Sequence, residues 1–347
     1  MAADKLFMER SLQLAALGAG FVAPNPLVGA VLVHYNRVIG EGWHKVYGGP
    51  HAEVECLNSV VEADRYLIKE STLYVTLEPC AHYGKTPPCA NRIVEKGIKK
   101  VVVGTRDPFP EVNGKGIEIL KQAGINVMVG VLENKCRWQN RRFFTFHEKK
   151  RPYIHLKWAA TADGFMSAGK GERLKISSPF SDRLVHKWRS EEAAIMVGTQ
   201  TVLLDKPILN NRLWSGAQPV RIMVDRRLQI PESYLESITG STVIVLNEEK
   251  DKTVGNVKWI KMKFDNGHDV NGILNVLYDE KLQSVFIEGG ATLLCSFLQQ
   301  NCWDEVHIMT NTMLRVGSGL AAPPKPTGQV FLQQKMDADN IEWIVNK

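Results

Sequence analysis

The sequence predicts an α/β fold in two domains, with a boundary near residue 149. The chain has 347 residues, which exceeds the usual length of one domain and makes two the expectation. In both halves, segments rich in β-forming residues alternate with segments of helical periodicity, a pattern typical of sheets covered by helices. Between the halves, a charged run at 149–151 is ended by Pro152, as expected of a domain boundary. We therefore predict domains at 1–148 and 149–347.

The first half carries start and stop signals for its elements. Asp4 can cap a helix that Gly18 stops, and Asn36 lies in the turn of a hairpin. The next helix opens at a His-Ala-Glu motif, and a strand rich in β-forming residues ends at a Glu-Pro-Cys motif. Two prolines, 87 and 88, cannot extend a helix backwards, so a third helix starts near Cys89. The predicted helices are 4–18, 52–61, 89–96, 115–123 and 133–148, and the predicted strands are 28–35, 37–44, 72–77, 100–104 and 125–131.

The second half continues the alternation and shows no internal repeat of the first. A Glu-Gly-Gly-Ala-Thr segment at 288–292 follows a strand and opens a helix. Glycines at that point let backbone amides approach a dinucleotide phosphate, and a tight turn explains them equally well. The predicted strands are 153–159, 194–198, 220–225, 242–246, 257–262, 284–288 and 305–310, and the predicted helices are 180–192, 270–280 and 291–300.

Composition narrows the class of protein. An apolar fraction of 44% supports ordinary globular cores, and a net charge of +6 suits an anionic small substrate or a nucleic acid without choosing between them. No apolar run approaches the length of a membrane span, and the N-terminus lacks the pattern of a signal peptide. The cysteines divide into two in a metal motif and four in apolar or helical contexts, which fits a reducing compartment. We expect a cytoplasmic protein with no membrane segment.

Four residues in the first half form the strongest chemical signal. His51, Cys80 and Cys89 supply one imidazole and two thiolates, which bind Zn²⁺ and leave a fourth tetrahedral position open. Glu53 lies two residues after the histidine, where it can move the proton of a water at that position. The order His-x-Glu, Pro-Cys, Cys is the signature of zinc deaminases. We predict a catalytic zinc site for hydrolytic deamination of a heterocycle, with a structural zinc site as the alternative.

Four polar residues near this motif have two interpretations each. Asn25 lies in a Pro-Asn-Pro turn, where its amide binds the edge of a heterocycle or only shapes the turn. His44 contacts substrate or caps a strand. Between the two cysteines, His82 is an alternative ligand or a loop contact, and Lys85 meets an anionic substrate group or lies on the surface. We predict Asn25, His44 and Lys85 as substrate-binding residues.

Taken together, the motifs resemble one family, the bifunctional riboflavin-biosynthesis deaminase/reductase. The resemblance covers essentially the whole chain, and the long separation of Cys80 from Cys89 is what this family shows. It implies a cytidine-deaminase-like α/β/α domain followed by a dihydrofolate-reductase-like α/β domain. The segments that carry the resemblance are 23–29, 51–55, 77–89, 107–116, 156–164, 195–212, 221–225 and 286–293.

The resemblance also implies a cofactor site and a substrate site in the second half. Arginines there suit a ribose phosphate because their planar fork pairs with phosphate oxygens. Lys175 replaces a tryptophan of many members and Lys206 an aspartate, and a lysine near the cofactor favours the 2′-phosphate of NADPH as a hypothesis. The positions that match the substrate site are Arg189, Leu209, Arg212 and Glu288, and those that match the NADPH site are Ala159, Lys175, Thr201, Asp205, Gly290, Ala291 and Thr292.

The implied activity is twofold. The first domain would hydrolyse the 2-amino group of 2,5-diamino-6-(5-phosphoribosylamino)pyrimidin-4(3H)-one, and the second would use NADPH to reduce the ribosyl group of the resulting uracil to ribityl. Such small phosphorylated pyrimidines require no nucleic-acid or membrane partner, and a homo-oligomer stays open. One alternative is a nucleic-acid cytidine or adenosine deaminase with an appended binding domain, which predicts aromatic stacking surfaces and a basic face. The other is a non-catalytic zinc scaffold, against which Glu53 argues.

Overall fold

A computed structural model of the protein describes residues 2–81, 87–169, 174–264 and 269–346. The chain forms two compact units, Met1–Lys149 and Lys150–Lys347, which divide beside the charged run that marks the expected boundary. Across the described ranges, no helix combines the length and the apolar character that crossing a membrane requires.

The first unit is a five-stranded sheet with helices on both faces. Its strands are β1 (Gly29–His34), β2 (Arg37–Trp43), β3 (Thr72–Leu77), β4 (Lys100–Thr105) and β5 (Asn126–Val129), and its helices are α1 (Ala2–Ala16), α2 (Ala52–Asn58), α3 (Cys89–Glu95), α4 (Lys115–Gln122), α5 (Glu133–Gln139) and α6 (Arg141–Lys149). In the order β2-β1-β3-β4-β5, β1 is antiparallel to both neighbours and the last three strands are parallel. Side chains such as Ile93 and Leu120 form a core on one face, and Met8 and Cys136 belong to a core on the other. This arrangement confirms the predicted α/β/α layering.

The predicted single helix over 133–148 is wrong, because α5 and α6 meet at Asn140. The backbone of Asn140 leaves the helical conformation, with φ −102° and ψ 23°. Its buried side chain accepts a hydrogen bond from the Leu27 N–H at 2.7 Å and donates one to the Leu27 carbonyl at 2.8 Å. The break therefore holds the segment that carries Asn25, through a long-range contact that helical periodicity does not reveal.

The second unit contains a ten-stranded sheet and a separate two-stranded sheet. Its strands are β6 (Tyr153–Ala160), β7 (Phe165–Ser167), β8 (Ala194–Gly198), β9 (Val220–Val224), β10 (Val243–Asn247), β11 (Lys252–Val254), β12 (Val257–Lys261), β13 (Ser284–Gly289), β14 (Glu305–Asn311), β15 (Leu320–Ala321), β16 (Gln329–Met336) and β17 (Asp339–Val345). Its helices are α7 (Pro179–Glu191), α8 (Thr199–Asp205), α9 (Glu232–Ser237), α10 (Val270–Asp279) and α11 (Ala291–Gln299). The large sheet has the order β11-β12-β10-β9-β8-β13-β6-β14-β17-β16, and it is parallel from β12 to β14. Apolar cores cover both of its faces.

The central strands of the second unit and helices α7, α10 and α11 confirm the prediction, whereas short or exposed elements escape it. Strand β16 is exposed over most of its length, so its sequence lacks the apolar continuity of the central strands. Helix α8 begins directly after β8 ends at Gly198, so no turn residues separate the two periodicities. Similarly, a 3₁₀ segment at Glu62–Glu70 in the first unit lies outside the predicted elements.

A buried polar cluster links β6, β14 and the end of α7. His155 Nδ1 lies 3.2 Å from a carboxylate oxygen of Glu192 and 3.2 Å from one of Glu305. His155 Nε2 lies 2.8 Å from His307 Nδ1, and the Tyr153 hydroxyl donates to Glu305 at 2.8 Å. All five residues are buried. The carboxylates of Glu192 and Glu305 share the same imidazole N–H, so the burial of both carboxylates depends on His155.

We expect His155→Phe to destabilise the chain by about 3–5 kcal/mol, because it leaves two buried carboxylates without their shared donor. The measurement is the free energy of unfolding of the full chain from chemical denaturation. Ile154→Val is the matched control on the adjacent position of β6, with an expected loss of about 1 kcal/mol. A loss in His155→Phe no larger than in this control would contradict the assignment.

Candidate active sites

The predicted zinc ligands lie together in the first unit. His51 directly precedes α2, Cys80 follows β3, and Cys89 is the first residue of α3. His51 Nδ1 lies 3.5 Å from Cys80 Sγ and 3.4 Å from Cys89 Sγ. Such separations match the edges of a tetrahedron of ligands with bonds of about 2.0–2.3 Å to one ion. The donor set and its spacing therefore fit a zinc ion with one position left for water or substrate.

Local electrostatics prepare these ligands and the adjacent acid. Cys80 accepts hydrogen bonds from the Cys89 thiol and from the Cys89 backbone N–H, the latter at 3.2 Å, and these bonds lower the pKa of the Cys80 thiol. A thiolate is the form of cysteine that ligates metal. Glu53 is buried in the first turn of α2, and burial raises the pKa of its carboxyl to about 7. A nearby zinc ion would oppose this shift, because a cation stabilises the carboxylate.

Cys80 is held in place by a carboxylate two residues before it. Glu78 is buried and accepts three backbone N–H groups, from Asp107 at 3.3 Å, Gly114 at 3.0 Å and Ile117 at 3.1 Å. The loop between β4 and α4 therefore wraps around the end of β3. This contact gives a physical role to the 107–116 segment, in which the sequence alone showed only a family resemblance.

Gly116 allows the closest approach in this loop. A Cβ atom at that position would lie 1.9 Å from the carbonyl oxygen of Pro79, the residue before the zinc ligand Cys80. No flexible side chain can yield there, since the obstructing atom belongs to the backbone. The position of Cys80, which directly follows Pro79, thus depends on the absence of a side chain at residue 116.

The predicted substrate residues Asn25 and His44 contact each other beside the zinc ligands. His44 Nδ1 lies 2.9 Å from the Pro50 carbonyl, so this nitrogen carries the proton and donates it. Asn25 Nδ2 then donates to His44 Nε2 at 3.0 Å, which fixes the orientation of the amide. Burial lowers the pKa of His44 and keeps its ring neutral. The ring centroids of His44 and His51 are 5.6 Å apart, so this oriented amide lies next to the metal ligands.

His82 and Lys85 lie outside the described residues. Both interpretations of each residue therefore stay open. The proposal that Lys85 meets an anionic substrate group rests on the sequence and its resemblance alone.

The second unit contains a cavity of about 380 Å³. Its walls come from β6, α7, β13 and the loop that follows α8. A concave space of this size with several charged groups suits a small polar ligand. Six predicted site residues line the cavity, Ala159, Lys175, Arg189, Leu209, Arg212 and Glu288, together with five polar residues outside the predicted sites, Lys157, Ser177, Asp182, His186 and Lys206.

Arg189 and Glu288 form a buried ion pair in the wall of this cavity. The guanidinium donates two hydrogen bonds to the carboxylate, at 2.6 and 2.5 Å. Burial opposes both charges, but the partner's charge more than offsets it, so the pKa of Glu288 is lowered and the pKa of Arg189 is raised. Because the fork of Arg189 is occupied, the exposed Arg212 is the cavity arginine that is left for a phosphate.

Lys157 is a cavity residue that sequence reasoning missed. It lies on β6 and is 9% exposed, and burial lowers the pKa of its ammonium group. A lysine inside a strand that is buried along nearly its whole length is itself a signal, since lysine is rarely buried without a function or a partner. The Leu-Lys-Trp-Ala-Ala segment at 156–160 carries that signal.

The loop after α8 is held in a strained conformation. Lys206 and Leu209 have positive φ angles of 42° and 53°, which side-chain-bearing residues rarely adopt. Arg189 donates to the Asn210 carbonyl at 2.9 Å, and the buried Arg221 donates to the Leu209 carbonyl at 3.4 Å. Such cross-links allow the strained backbone to persist and keep Leu209 at the cavity.

The predicted dinucleotide residues lie after two adjacent parallel strands. Helix α8 follows β8 and helix α11 follows β13, so their N-termini lie at the same edge of the sheet. The Thr201 hydroxyl accepts the Gly290 N–H at 2.9 Å and holds the two starts together. Ala291 and Thr292 form the first turn of α11, and Asp205 is the exposed last residue of α8. Ligands of open α/β sheets bind at such an edge.

Lys175 is engaged by a neighbour in the cavity wall. Its ammonium group forms an ion pair with Asp182, which also accepts a hydrogen bond from the Ser177 hydroxyl at 3.0 Å. The Lys175 side chain is more than half exposed, so the pair is screened by water and exchanges partners readily. A phosphate can therefore compete with Asp182 for this lysine.

Comparison with known proteins covers both units. Residues 1–105 match the cytidine and deoxycytidylate deaminase zinc-binding region, and residues 152–344 match the RibD C-terminal domain. The riboflavin biosynthesis protein RibD of Aquifex aeolicus is 39% identical over 92% of this chain and 89% of its own length. The chain belongs to the RibD family. RibD of Escherichia coli K12 is 34% identical over 88% of this chain and 86% of its own length.

Solved structures of RibD proteins match both units. A deaminase/reductase of Thermotoga maritima has a TM-score of 0.88 at 36% identity, with 100% of this chain and 99% of that chain covered. Acinetobacter baumannii RibD gives 0.87 at 32% identity over the same shares. These matches confirm the predicted fold, a deaminase-like domain followed by a reductase domain of the dihydrofolate-reductase type. The chain is a bifunctional enzyme of riboflavin biosynthesis, and its family uses zinc and a nicotinamide cofactor.

We expect Gly116→Ala to reduce ammonia release by about 100-fold, because displacing Pro79 misplaces the zinc ligand that follows it. Oxidation of the nicotinamide cofactor should stay intact when the deaminated substrate is supplied directly, since we assign it to the second unit. Gly198→Ala, whose new Cβ meets no atom within 4 Å, is the matched control for deamination. Wild-type deamination in Gly116→Ala would show that the loop does not position Cys80.

We expect Glu53→Gln to keep its zinc and to lose at least about 100-fold in deamination, because the amide cannot carry the proton. Zinc content and ammonia release are measured on the same preparation. Glu55→Gln, two residues along α2 and paired with Lys45 at the surface, is the control that should retain activity. Substantial turnover in Glu53→Gln would refute the role given to this carboxyl.

Proposed function

We propose that residues 1–148 deaminate 2,5-diamino-6-(5-phosphoribosylamino)pyrimidin-4(3H)-one at C2, and that residues 149–347 reduce the ribosyl group of 5-amino-6-(5-phosphoribosylamino)uracil with NADPH. One observation carries the proposal: a single chain holds a His-Cys-Cys ligand set beside a buried carboxyl and also a charged cavity at the family's reductase positions. The Thermotoga maritima relative is a diaminohydroxyphosphoribosylaminopyrimidine deaminase/5-amino-6-(5-phosphoribosylamino)uracil reductase, which supports this pair of substrates.

In the deaminase, His51, Cys80 and Cys89 would hold the zinc ion. Bound zinc supplies Lewis-acid chemistry that makes a water nucleophilic near neutral pH. Glu53 moves one proton of the attacking water to the ring nitrogen as the C–O bond forms. It then moves the remaining hydroxyl proton to the amino group, which leaves as ammonia when the C–N bond breaks and the C=O bond forms. The amide of Asn25, oriented by His44, pairs with the edge of the pyrimidine. A fixed amide reduces the freedom that the bound ring would otherwise have to lose.

In the reductase, NADPH supplies a hydride to C1′ of the sugar in its open, imine-like form. The helix starts joined by Thr201 and Gly290 present backbone N–H groups to the dinucleotide phosphates. Leu209, Arg212 and Glu288 line the space for the ribosyl phosphate. These residues bind and orient, so the rate depends on how closely they bring C1′ to the nicotinamide.

A cytoplasmic location is part of the proposal, because thiolate ligands and free cysteines persist in reducing compartments. The alternative, a nucleic-acid deaminase with an appended binding domain, needs aromatic stacking surfaces and a continuous basic groove. The matched reductase domain favours a small phosphorylated pyrimidine over that alternative. The oligomeric state stays open.

The deciding experiment supplies the zinc-loaded full chain with the diaminopyrimidine ribosyl phosphate and follows ammonia release and NADPH oxidation separately. The expected result is ammonia without NADPH and both signals with it. The Glu53→Gln variant is the control. It should give neither signal with the diaminopyrimidine, and it should oxidise NADPH when 5-amino-6-(5-phosphoribosylamino)uracil is supplied directly. Release of ammonia without any NADPH oxidation would overturn the reductase half, and neither signal would overturn both substrates.

We expect Lys175→Ala to raise the KM for NADPH more than the KM for NADH, because only NADPH carries the 2′-phosphate that competes with Asp182 for this lysine. Steady-state kinetics with both cofactors measure the difference. Lys187→Ala removes a comparable lysine–glutamate pair from α7 and is the control that should affect both cofactors equally. An equal change in both KM values for Lys175→Ala would exclude the 2′-phosphate as its partner.

A further inference from the structure

His186 is a buried histidine of the reductase cavity to which the family resemblance gives no role. It lies on α7, is 3% exposed and lines the cavity with Arg189 and Arg212. Its Nδ1 atom accepts the backbone N–H of Arg212 at 3.1 Å, so this nitrogen carries no proton. A neutral imidazole with a bare Nδ1 has its proton on Nε2. The ring therefore accepts a hydrogen bond from the Arg212 backbone through Nδ1, and its Nε2–H is a donor.

The charge state of this ring follows from its neighbours. Arg189 and Arg212 are the cations near it, and Asp182 and Glu288 are the anions. Burial and then the two arginines lower the pKa of His186 to about 4, and the two acids only partly offset them. The ring is neutral throughout the range in which a cytoplasmic enzyme works. It can donate a hydrogen bond without adding a further positive charge beside the arginines.

The donor on Nε2 points to a ligand. Among the described residues, Nδ1 of His186 has a hydrogen-bond partner and Nε2 has none. Unlike the fully buried unpaired polar atoms of the described chain, Nε2 keeps access to solvent at the cavity, so it can donate to an oxygen of the bound molecule in place of water. Nothing else in the described part of the cavity takes that proton.

The surroundings select the kind of oxygen. Arg189 is already forked onto Glu288, which leaves Arg212 as the charged donor next to His186. A guanidinium beside a neutral N–H donor is a combination that suits a phosphate, which accepts several hydrogen bonds at once. A sugar hydroxyl would leave Arg212 without an anion. The Nε2–H of His186 and the guanidinium of Arg212 are also held relative to each other, since His186 Nδ1 binds the backbone N–H of Arg212.

We propose that His186 positions the substrate phosphate in the reductase, with its Nε2–H donating to a phosphate oxygen and its Nδ1 anchoring the loop that carries Arg212. This inference rests on the proposed function only in that the reductase substrate carries a ribose phosphate. It adds a specificity residue to that site. The neutral ring would distinguish phosphorylated from phosphate-free sugars together with Arg212.

Two amide substitutions separate the two roles of the ring. His186→Asn places an amide oxygen near the position of Nδ1 and keeps the anchor, but it has no group that reaches as far as Nε2. His186→Gln places an amide N–H near the position of Nε2 and keeps the donor, but it removes the anchor. Comparing the two variants thus distinguishes contact with the phosphate from support of the loop.

The binding probe is D-ribose 5-phosphate, with D-ribose as the phosphate-free control, titrated calorimetrically into the full zinc-loaded chain saturated with NADP⁺. We expect His186→Asn to weaken ribose 5-phosphate about tenfold or more and to leave ribose unchanged, as for loss of one hydrogen bond to a charged group. His186→Gln should recover most of the binding. Unchanged ribose 5-phosphate affinity in His186→Asn, or an equal loss for both sugars, would overturn the proposal.

Turnover provides the second readout and separates this inference from the proposed function. In NADPH oxidation with the phosphorylated uracil, His186→Asn should raise KM about tenfold with kcat nearly unchanged, because the contact is remote from C1′. Ammonia release assigned to the first unit should be unaffected in both variants, and the nearly unchanged kcat of NADPH oxidation shows that the second unit is folded. Failure of the wild-type chain to oxidise NADPH would refute the substrate, whereas the ribose 5-phosphate titration still decides the role of His186.

Discussion

The zinc site depends on a carboxylate that binds no metal. Glu78 accepts three backbone N–H groups from the loop after β4, and these bonds bring that loop around the end of β3, where Cys80 follows. Without this acceptor, two buried N–H groups and one part-buried N–H group would lose their partners, which makes the alternative loop conformations costly. The close contact between Gly116 and Pro79 then leaves Pro79 and the adjacent Cys80 little room to move. The spacing of the predicted ligands therefore depends on the loop contacts around Cys80 as well as on the ligands themselves.

In the second unit, the Arg189–Glu288 pair has the corresponding role. It neutralises two charges inside the cavity wall, and the same guanidinium holds the strained loop after α8 through the Asn210 carbonyl. Removing either partner would therefore leave a buried charge, and removing Arg189 would also release the loop that carries Leu209 and Arg212. This coupling explains how a surface loop with unfavourable backbone angles can form a specific site. The guanidinium of Arg189, a predicted substrate-binding residue, is engaged by the carboxylate of Glu288, which is predicted for the same site.

The residues that sequence reasoning found are those whose chemistry requires a spacing along the chain. The zinc ligands and Glu53 stand at fixed positions in short motifs, and the central strands show through their apolar runs. Asn140 and His186 act through long-range contacts, so no local pattern reveals their roles. Asn140 breaks a helix to bind a distant backbone, and the orientation of Asn25 depends on a histidine nineteen residues away. Burial and tautomers, which decide these cases, are properties of the folded chain.

Both sites use a neutral histidine whose tautomer is fixed by one backbone contact, and the two contacts are opposite in sense. The Pro50 carbonyl accepts a hydrogen bond from His44 Nδ1–H, so Nε2 is the acceptor of the ring and orients the amide of Asn25. The Arg212 N–H occupies His186 Nδ1 and leaves Nε2 as a donor. Burial lowers the pKa of both rings, so neither adds a charge to its site. A single residue type thus gives the deaminase an acceptor and the reductase a donor, and the backbone atom opposite Nδ1 decides which.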